Sequence, residues 1–199
     1  RLIGAMAHPL NRPRFDPVTG RVVEGYGVMQ PRVTPTLPTA GAGSLYQQIF
    51  SGPAGIDPYA FAVSDVYQDL FREGSYVGKG IYDVDAFTSA LNGRVAENTM
   101  LSHDLFEGVC ARTALVTDIE LFEEFPSHFE VAAARQHRWV RGDWQLLPWI
   151  VGWRKTLPVI SRWKMIDNLR RSATAPAATL ALICSVVLTP PTPGVWLGF

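Results

Sequence analysis

At 199 residues the chain is long enough for one domain with a real core and short for two. Its 18 basic and 18 acidic residues cancel, so nothing global argues for a nucleic-acid partner. The two cysteines, Cys110 and Cys184, show no metal-ligand spacing, which fits a reduced, cytoplasm-facing soluble part.

The chain opens on Arg1 rather than Met, and we expect a piece of a longer protein whose signal sequence cannot be judged. Residues 1–8 read as the end of a helix stopped by Pro9. A turn-rich stretch leads to a short strand over residues 25–30, after which Pro31, Pro35 and Pro38 predict a loop. Residues 44–50 and 57–71 carry apolar side chains at helical spacing. In the second of these, Tyr59, Val63, Val66, Tyr67 and Leu70 form one stripe, with Asp57 as cap and Pro58 at the first helical position.

Residues 74–80 (GSYVGKG) predict a tight loop or short strand, and residues 83–91 a short helix ended by Asn92-Gly93. Ser102 is expected to cap a helix reaching Arg112, and residues 115–122 look strand-like. Ser127 and Glu130 have capping-box spacing, opening a long helix. Residues 144–153 (WQLLPWIVGW), with basic neighbours, fit a helix lying in a headgroup region. The alternation of helices and strands argues for an α/β fold.

After Arg171 no charge appears, and residues 177–188 are apolar apart from Thr179 and Ser185. A spanning helix needs roughly 20 mostly apolar residues, so this stretch predicts the first part of a span; a buried helix is the alternative. Arg154, Lys155, Arg162, Lys164, Arg170 and Arg171 precede it against one acid, Asp167. That imbalance marks a cytoplasmic flank.

Arg135, Arg138, Trp139 and Gly142 follow i, i+3, i+4, i+7 spacing and share one helix face. Guanidiniums there can fork onto phosphate oxygens, which Lys cannot match, and the indole can pack against a sugar ring. The same pattern fits a surface helix whose tryptophan fills a core gap while the arginines are solvated. Asp104, in a first helical turn, is a candidate general base, although the helix dipole alone would favour it there. Asp83-Val84-Asp85 has the spelling of a metal-diphosphate site but reads better as a helix cap. Gly78-Lys79-Gly80 lacks the spacing of a phosphate loop. Asp118, Glu120, Glu123 and Glu124 could suggest paired carboxylates for glycoside hydrolysis; a solvated strand end is the simpler reading.

The order of GKGIYDVDAF, NTMLSHDLFEG and RQHRWVRGDWQL resembles the second half of a processive, inverting family-2-type glycosyltransferase, as in cellulose and hyaluronan synthases. The strings AHPLNRPRFDPVTGRVVEGYGVMQPRV, DPYAFAVSDVYQDLFREGSYVGKGIYDVDAF, ENTMLSHDLFEG and ARQHRWVRGDWQLLPWI look like the glycosyltransferase region of cyclic β-1,2-glucan synthases, over nearly the whole chain. The resemblance implies residues 1–143 as the C-terminal half of a GT-A-type domain. Membrane-interface helices over 144–172 and a truncated transmembrane segment over 173–199 follow. It implies a bacterial inner-membrane enzyme whose catalytic part faces the cytoplasm and moves glucose from UDP-glucose onto a growing β-1,2-glucan. Asp104 would be the base and Arg138 and Trp139 the Arg-Trp motif, with Arg135 and Arg141 as further substrate-binding cations. Mg²⁺ or Mn²⁺ would be bound mainly by an upstream Asp-x-Asp motif absent from this chain. Two positions depart from the broader pattern: His103 stands where Glu is usual, and Arg135 where Gln is usual. A non-catalytic, membrane-tethered glucan-binding piece and a glycoside phosphorylase or hydrolase region are the rival readings.

Overall fold

The computed structural model describes residues 1–36, 38, 42–51, 65–100, 103–152 and 157–188, with Val186 and Leu188 described by their backbone alone. The fold is mixed α/β. A short helix α1 (Leu2–Ala7) and a 3-10 turn (Pro9–Asn11) lead to an antiparallel pair, β1 (Arg14–Phe15) and β2 (Val22–Glu24). The main sheet has three strands in the order β4 (Ile81–Tyr82), β3 (Val28–Thr36), β5 (Thr113–Glu124). β4 joins β3 antiparallel through Val28 and Met29 only, whereas β5 runs parallel to β3 along its whole length. A parallel pair requires a long crossover, and the chain between β3 and β5 carries α2 (Leu45–Phe50), α3 (Val66–Phe71), α4 (Val84–Leu91) and α5 (Asp104–Ala111).

The strand expected over residues 25–30 begins instead at Val28 and passes through Pro31 and Pro35, where a loop was predicted. Strand alternation supplies the reason. The Val28 N–H donates towards β5, to the carbonyl of Arg112 at 3.3 Å. The nitrogens at positions 31 and 35 therefore aim at the opposite edge, which β4 leaves unpaired beyond Met29. Proline loses no ladder bond there. Past Pro31 the partner jumps from Val116 to Glu120, and the bulged-out Asp118 meets Arg1 at the surface, 3.4 Å away.

Local caps explain the helix starts. Ser44 and Gln47 form a reciprocal capping box on α2, and Asp65 caps α3, accepting from the Tyr67 N–H at 2.8 Å. Asp57, Pro58, Tyr59 and Val63, and the Ser102 cap, lie outside the described residues. Asp83 caps α4 by accepting from Ala86 N at 2.9 Å, so the Asp-x-Asp spelling here is a helix start. The expected capping box at Ser127 and Glu130 is not formed. The cap position of α6 (Phe129–Gln145) is His128, without a side-chain cap bond. The Ser127 carbonyl accepts the Ser44 hydroxyl, which ties the turn before α6 to the start of α2.

The core gathers Val22, Val28, Tyr76, Ala90 and five residues of α5 (Leu105, Phe106, Val109, Cys110, Ala111). Leu146, Trp149 of α7 (Leu147–Ile150), Leu157 and Met165 of α8 (Val159–Leu188) close it from the other side. Trp149 stands edge-on to Phe106 with centroids 4.9 Å apart. The Trp-rich segment thus commits one face to the core; Trp144, Val151 and Trp163 remain about half exposed.

α8 is one helix of 30 residues with Pro176 inside it. No helix of the described residues is long and apolar enough to cross a membrane, so the truncated transmembrane segment expected over 173–199 does not show as a complete span among them. The charge-free part of α8, residues 172–188, rises about 25 Å at roughly 1.5 Å per residue, short of the ~30 Å hydrocarbon core. The half before it carries Arg162, Lys164, Asp167, Arg170 and Arg171. Residues 189–199 lie outside the described ones.

Candidate functional site

Asp104 opens α5, a helix whose other residues are buried apart from Glu107. A carboxylate in the first turn is favoured by the helix dipole, and the core fixes the helix beneath it. The side chain is half-buried, and burial pushes its pKa above the ordinary carboxylate value; His103, Lys79 and Arg138 pull the other way. Arg138, predicted from its spacing with Trp139, therefore does lie in the electrostatic reach of Asp104.

The glycine-rich loop reaches the same place. Gly78 has φ +82°, and a Cβ built on it would sit 2.6 Å from Asp104 Oδ2. Only glycine allows that conformation and that approach together. Lys79 Nζ then lies 3.0 Å from Glu123 Oε2 near the end of β5. Arg135 Nη2 approaches Glu123 Oε1 at 3.9 Å, and its guanidinium stands 5.8 Å from the Trp139 ring centre. Loop, strand and helix are thus linked through Lys79, Glu123, Arg135 and Trp139. The indole is 41% exposed, open enough to receive a ligand face. Arg138 and Arg141 are exposed; Arg141 falls outside the Arg135–Trp139–Gly142 stripe.

Behind Asp104, Tyr76 is buried and its hydroxyl is pushed up to about 12, by burial first and then by Asp104 and Glu107. The His103 ring turns to α6, with Nε2 3.4 Å from Asp143 Oδ1. Gly142 permits this, because an added Cβ would stand 3.1 Å from His103 Cδ2. The predicted stripe on α6 therefore faces the carboxylate side, its lower end pressed against the residue next to Asp104.

Asp104, Arg135, Arg138, Trp139 and Arg141 were site candidates from the sequence; Gly78, Lys79 and Glu123 were weighed there and set aside for other roles, and Asp143 was not seen. Asp143 carried a readable signal: it continues the stripe four residues after Trp139. Glu123 carried none, since its pairing with Lys79 depends on the fold. The sequence reading weighed Glu123 as a solvated strand end, whereas its side chain is 25% exposed and ion-paired. No group of three or more His, Cys, Asp or Glu side chains among the described residues is placed to hold a metal ion.

The molecule thus combines a mixed α/β fold with a half-buried carboxylate in the field of nearby cationic side chains. No protein-family model matches the chain. Over 197 residues, 98% of its length, it is 54% identical to the cyclic beta-(1,2)-glucan synthase NdvB of Rhizobium meliloti (strain 1021). It spans 7% of the length of that protein. The resemblance to cyclic β-1,2-glucan synthases therefore holds across nearly the whole chain.

Proposed function

We propose that this chain is the C-terminal half of a GT-A-type catalytic region, in an inverting glucosyltransferase that extends a β-1,2-glucan from UDP-glucose. The observation that carries the reading is the half-buried Asp104 carboxylate in the field of Lys79 and Arg138. Asp104 takes the proton from the acceptor 2-hydroxyl. The acceptor oxygen attacks the anomeric carbon opposite the leaving group, the C1–O bond to phosphate breaks, and UDP departs with the bonding pair. Arg138, with Arg135 and Arg141 nearby on α6, offsets charge growing on the diphosphate. Trp139 stacks on the terminal glucose of the acceptor and sets its angle. A divalent ion, Mg²⁺ or Mn²⁺, held mainly by an upstream Asp-x-Asp motif, would share in offsetting the diphosphate charge.

A hydrolase or phosphorylase would want two opposed carboxylates. The charged groups that act on the Asp104 carboxylate are His103, Lys79 and Arg138, all of them cationic when protonated, which suits a diphosphate better than a second carboxylate. The same proposal places the catalytic part at the cytoplasmic face of a bacterial inner membrane. It is supported by Arg154, Lys155, Arg162, Arg170 and Arg171 in the sequence and by the exposed apolar side chains that follow, Leu180, Leu182, Ile183 and Val187; Lys164, buried in the core, takes no part in it.

Asp104→Asn in the full-length protein tests the base. Base catalysis is worth roughly 10²–10⁴-fold, so UDP release should fall by that order while UDP-glucose binding, followed by calorimetry, persists. Wild-type UDP release from the variant overturns the assignment.

A further inference from the structure

We propose that Asn168 and Ser172 of α8 are positioning residues for Asp104, acting through Asp143 and the His103 ring. The inference rests on the reading of Asp104 as the base. Asn168 and Ser172 lie four residues apart on one side of α8. The Asn168 amide donates to Asp143 Oδ1, and the Ser172 hydroxyl donates to Asp143 Oδ2. Both oxygens of a carboxylate on α6 that is 8% exposed are therefore tied to α8. Asp143 Oδ1 also meets His103 Nε2 at 3.4 Å.

His103 occupies the cap position of α5 yet makes no side-chain cap bond with it. Its ring is committed to α6, and its buried Nδ1 has no hydrogen-bond partner. The ring is anchored to α6, and this holds in place the residue that directly precedes Asp104. Asp143 defines that place, because a hydrogen bond at one ring nitrogen fixes the ring's tautomer and orientation.

A second support comes from the same side of α8, one turn earlier. Lys164, fully buried, donates from Nζ to the carbonyls of Glu73 and Gly74, each at 3.0 Å. Those residues begin the loop whose Gly78 abuts Asp104. Burying polar and charged groups costs free energy unless each is paired, and a helix needed only for packing would present apolar residues here. The polar side of α8 instead reaches both segments that flank Asp104.

The test compares full-length wild type, Asn168→Ala/Ser172→Ala and Asn168→Ala/Ser172→Thr by steady-state UDP release. A small displacement of a reacting group costs on the order of 10²-fold. The Ala/Ala protein should lose about that in kcat with KM for UDP-glucose unchanged. The acid limb of its pH profile should move to lower pH as water reaches Asp104. The groups facing Asp104 are His103 just before it, Tyr76 and Lys79 of the loop, and Arg138 of α6; Glu107, on its own helix, shares Tyr76 with it. The substitutions remove none of them. Restoring the hydroxyl with Thr should recover part of the rate. Unchanged kcat and pH profile per folded enzyme overturn the inference, as does a fall in kcat matched by a rise in KM with the acid limb in place. Wild-type turnover by Asp104→Asn would remove the base reading itself, a result distinguishable from these.

Discussion

Asp104 carries a stability cost that follows from where it sits. Its folded-state pKa lies above the ordinary value because burial disfavours the charged form. Between the unfolded and folded pKa values the folded state holds the proton more tightly, so stability falls as pH rises through that window. Above it the ionised carboxylate works against the fold. Asp104→Asn should therefore melt higher than wild type at pH 7 in the full-length protein, and the advantage should shrink as pH falls through the folded pKa towards about 4. Melting curves at several pH values check this; a variant less stable than wild type at neutral pH would refute the strain. Stabilisation joined to lost UDP release is the signature of a group kept for work rather than for the fold. Cys110 makes the contrast. It too is buried, its thiol is pushed up to about 11, and it fills core as an inert small hydrophobe. At this scale the sequence disclosed residues whose roles are local, such as the Asp83 cap. It concealed Lys79 and Glu123, whose meaning arises only when a loop and a strand end meet.

At the scale of elements, α6 shows how phase can be legible where boundaries are not. The spacing of Arg135, Arg138, Trp139 and Gly142 predicted one face, and that face does turn towards the Asp104 side. Its start was set one residue early, since the cap position falls on His128 rather than Ser127, and the course of β3 was misjudged because the edge that suits Pro31 and Pro35 is not written locally. Gly142 lies inside α6, where helix propensity alone would favour alanine by up to about 1 kcal/mol. The new methyl carbon would stand 3.1 Å from His103 Cδ2, so the ring must give way. Gly142→Ala should therefore lower kcat for UDP release while leaving the melting temperature near that of wild type. An unaltered kcat would mean that the ring tolerates the shift and that its position does not govern the site.

For the whole molecule, the decisive feature is how α8 enters it. Hydropathy divided residues 144–199 into an interfacial part and a membrane part, yet α8 crosses that division as one helix. Its first half is built into the core, with Ser161, Lys164 and Met165 fully buried. Composition could not show this, because a basic residue near an apolar run has the same spelling whether it faces lipid headgroups or a buried carboxylate. Lys164 faces the second. Its Nζ lies 3.4 Å from Glu73 Oε1, and Arg21 Nη2 lies 3.6 Å from Glu73 Oε2. Arg21 also donates to the Val109 carbonyl at 2.8 Å. Glu73 thereby joins the N-terminal strands, α5 and α8 at the root of the glycine-rich loop. Removing one member of a buried ionic set leaves the others uncompensated, at a cost of about 3–5 kcal/mol. Glu73→Ala should lose stability of that order, with faster amide exchange first at residues 73–80 and 103–111 in the full-length protein. Exchange that quickens uniformly, or not at all in these two segments, would show that the network holds the fold in general rather than the two pieces of backbone between which Asp104 is set.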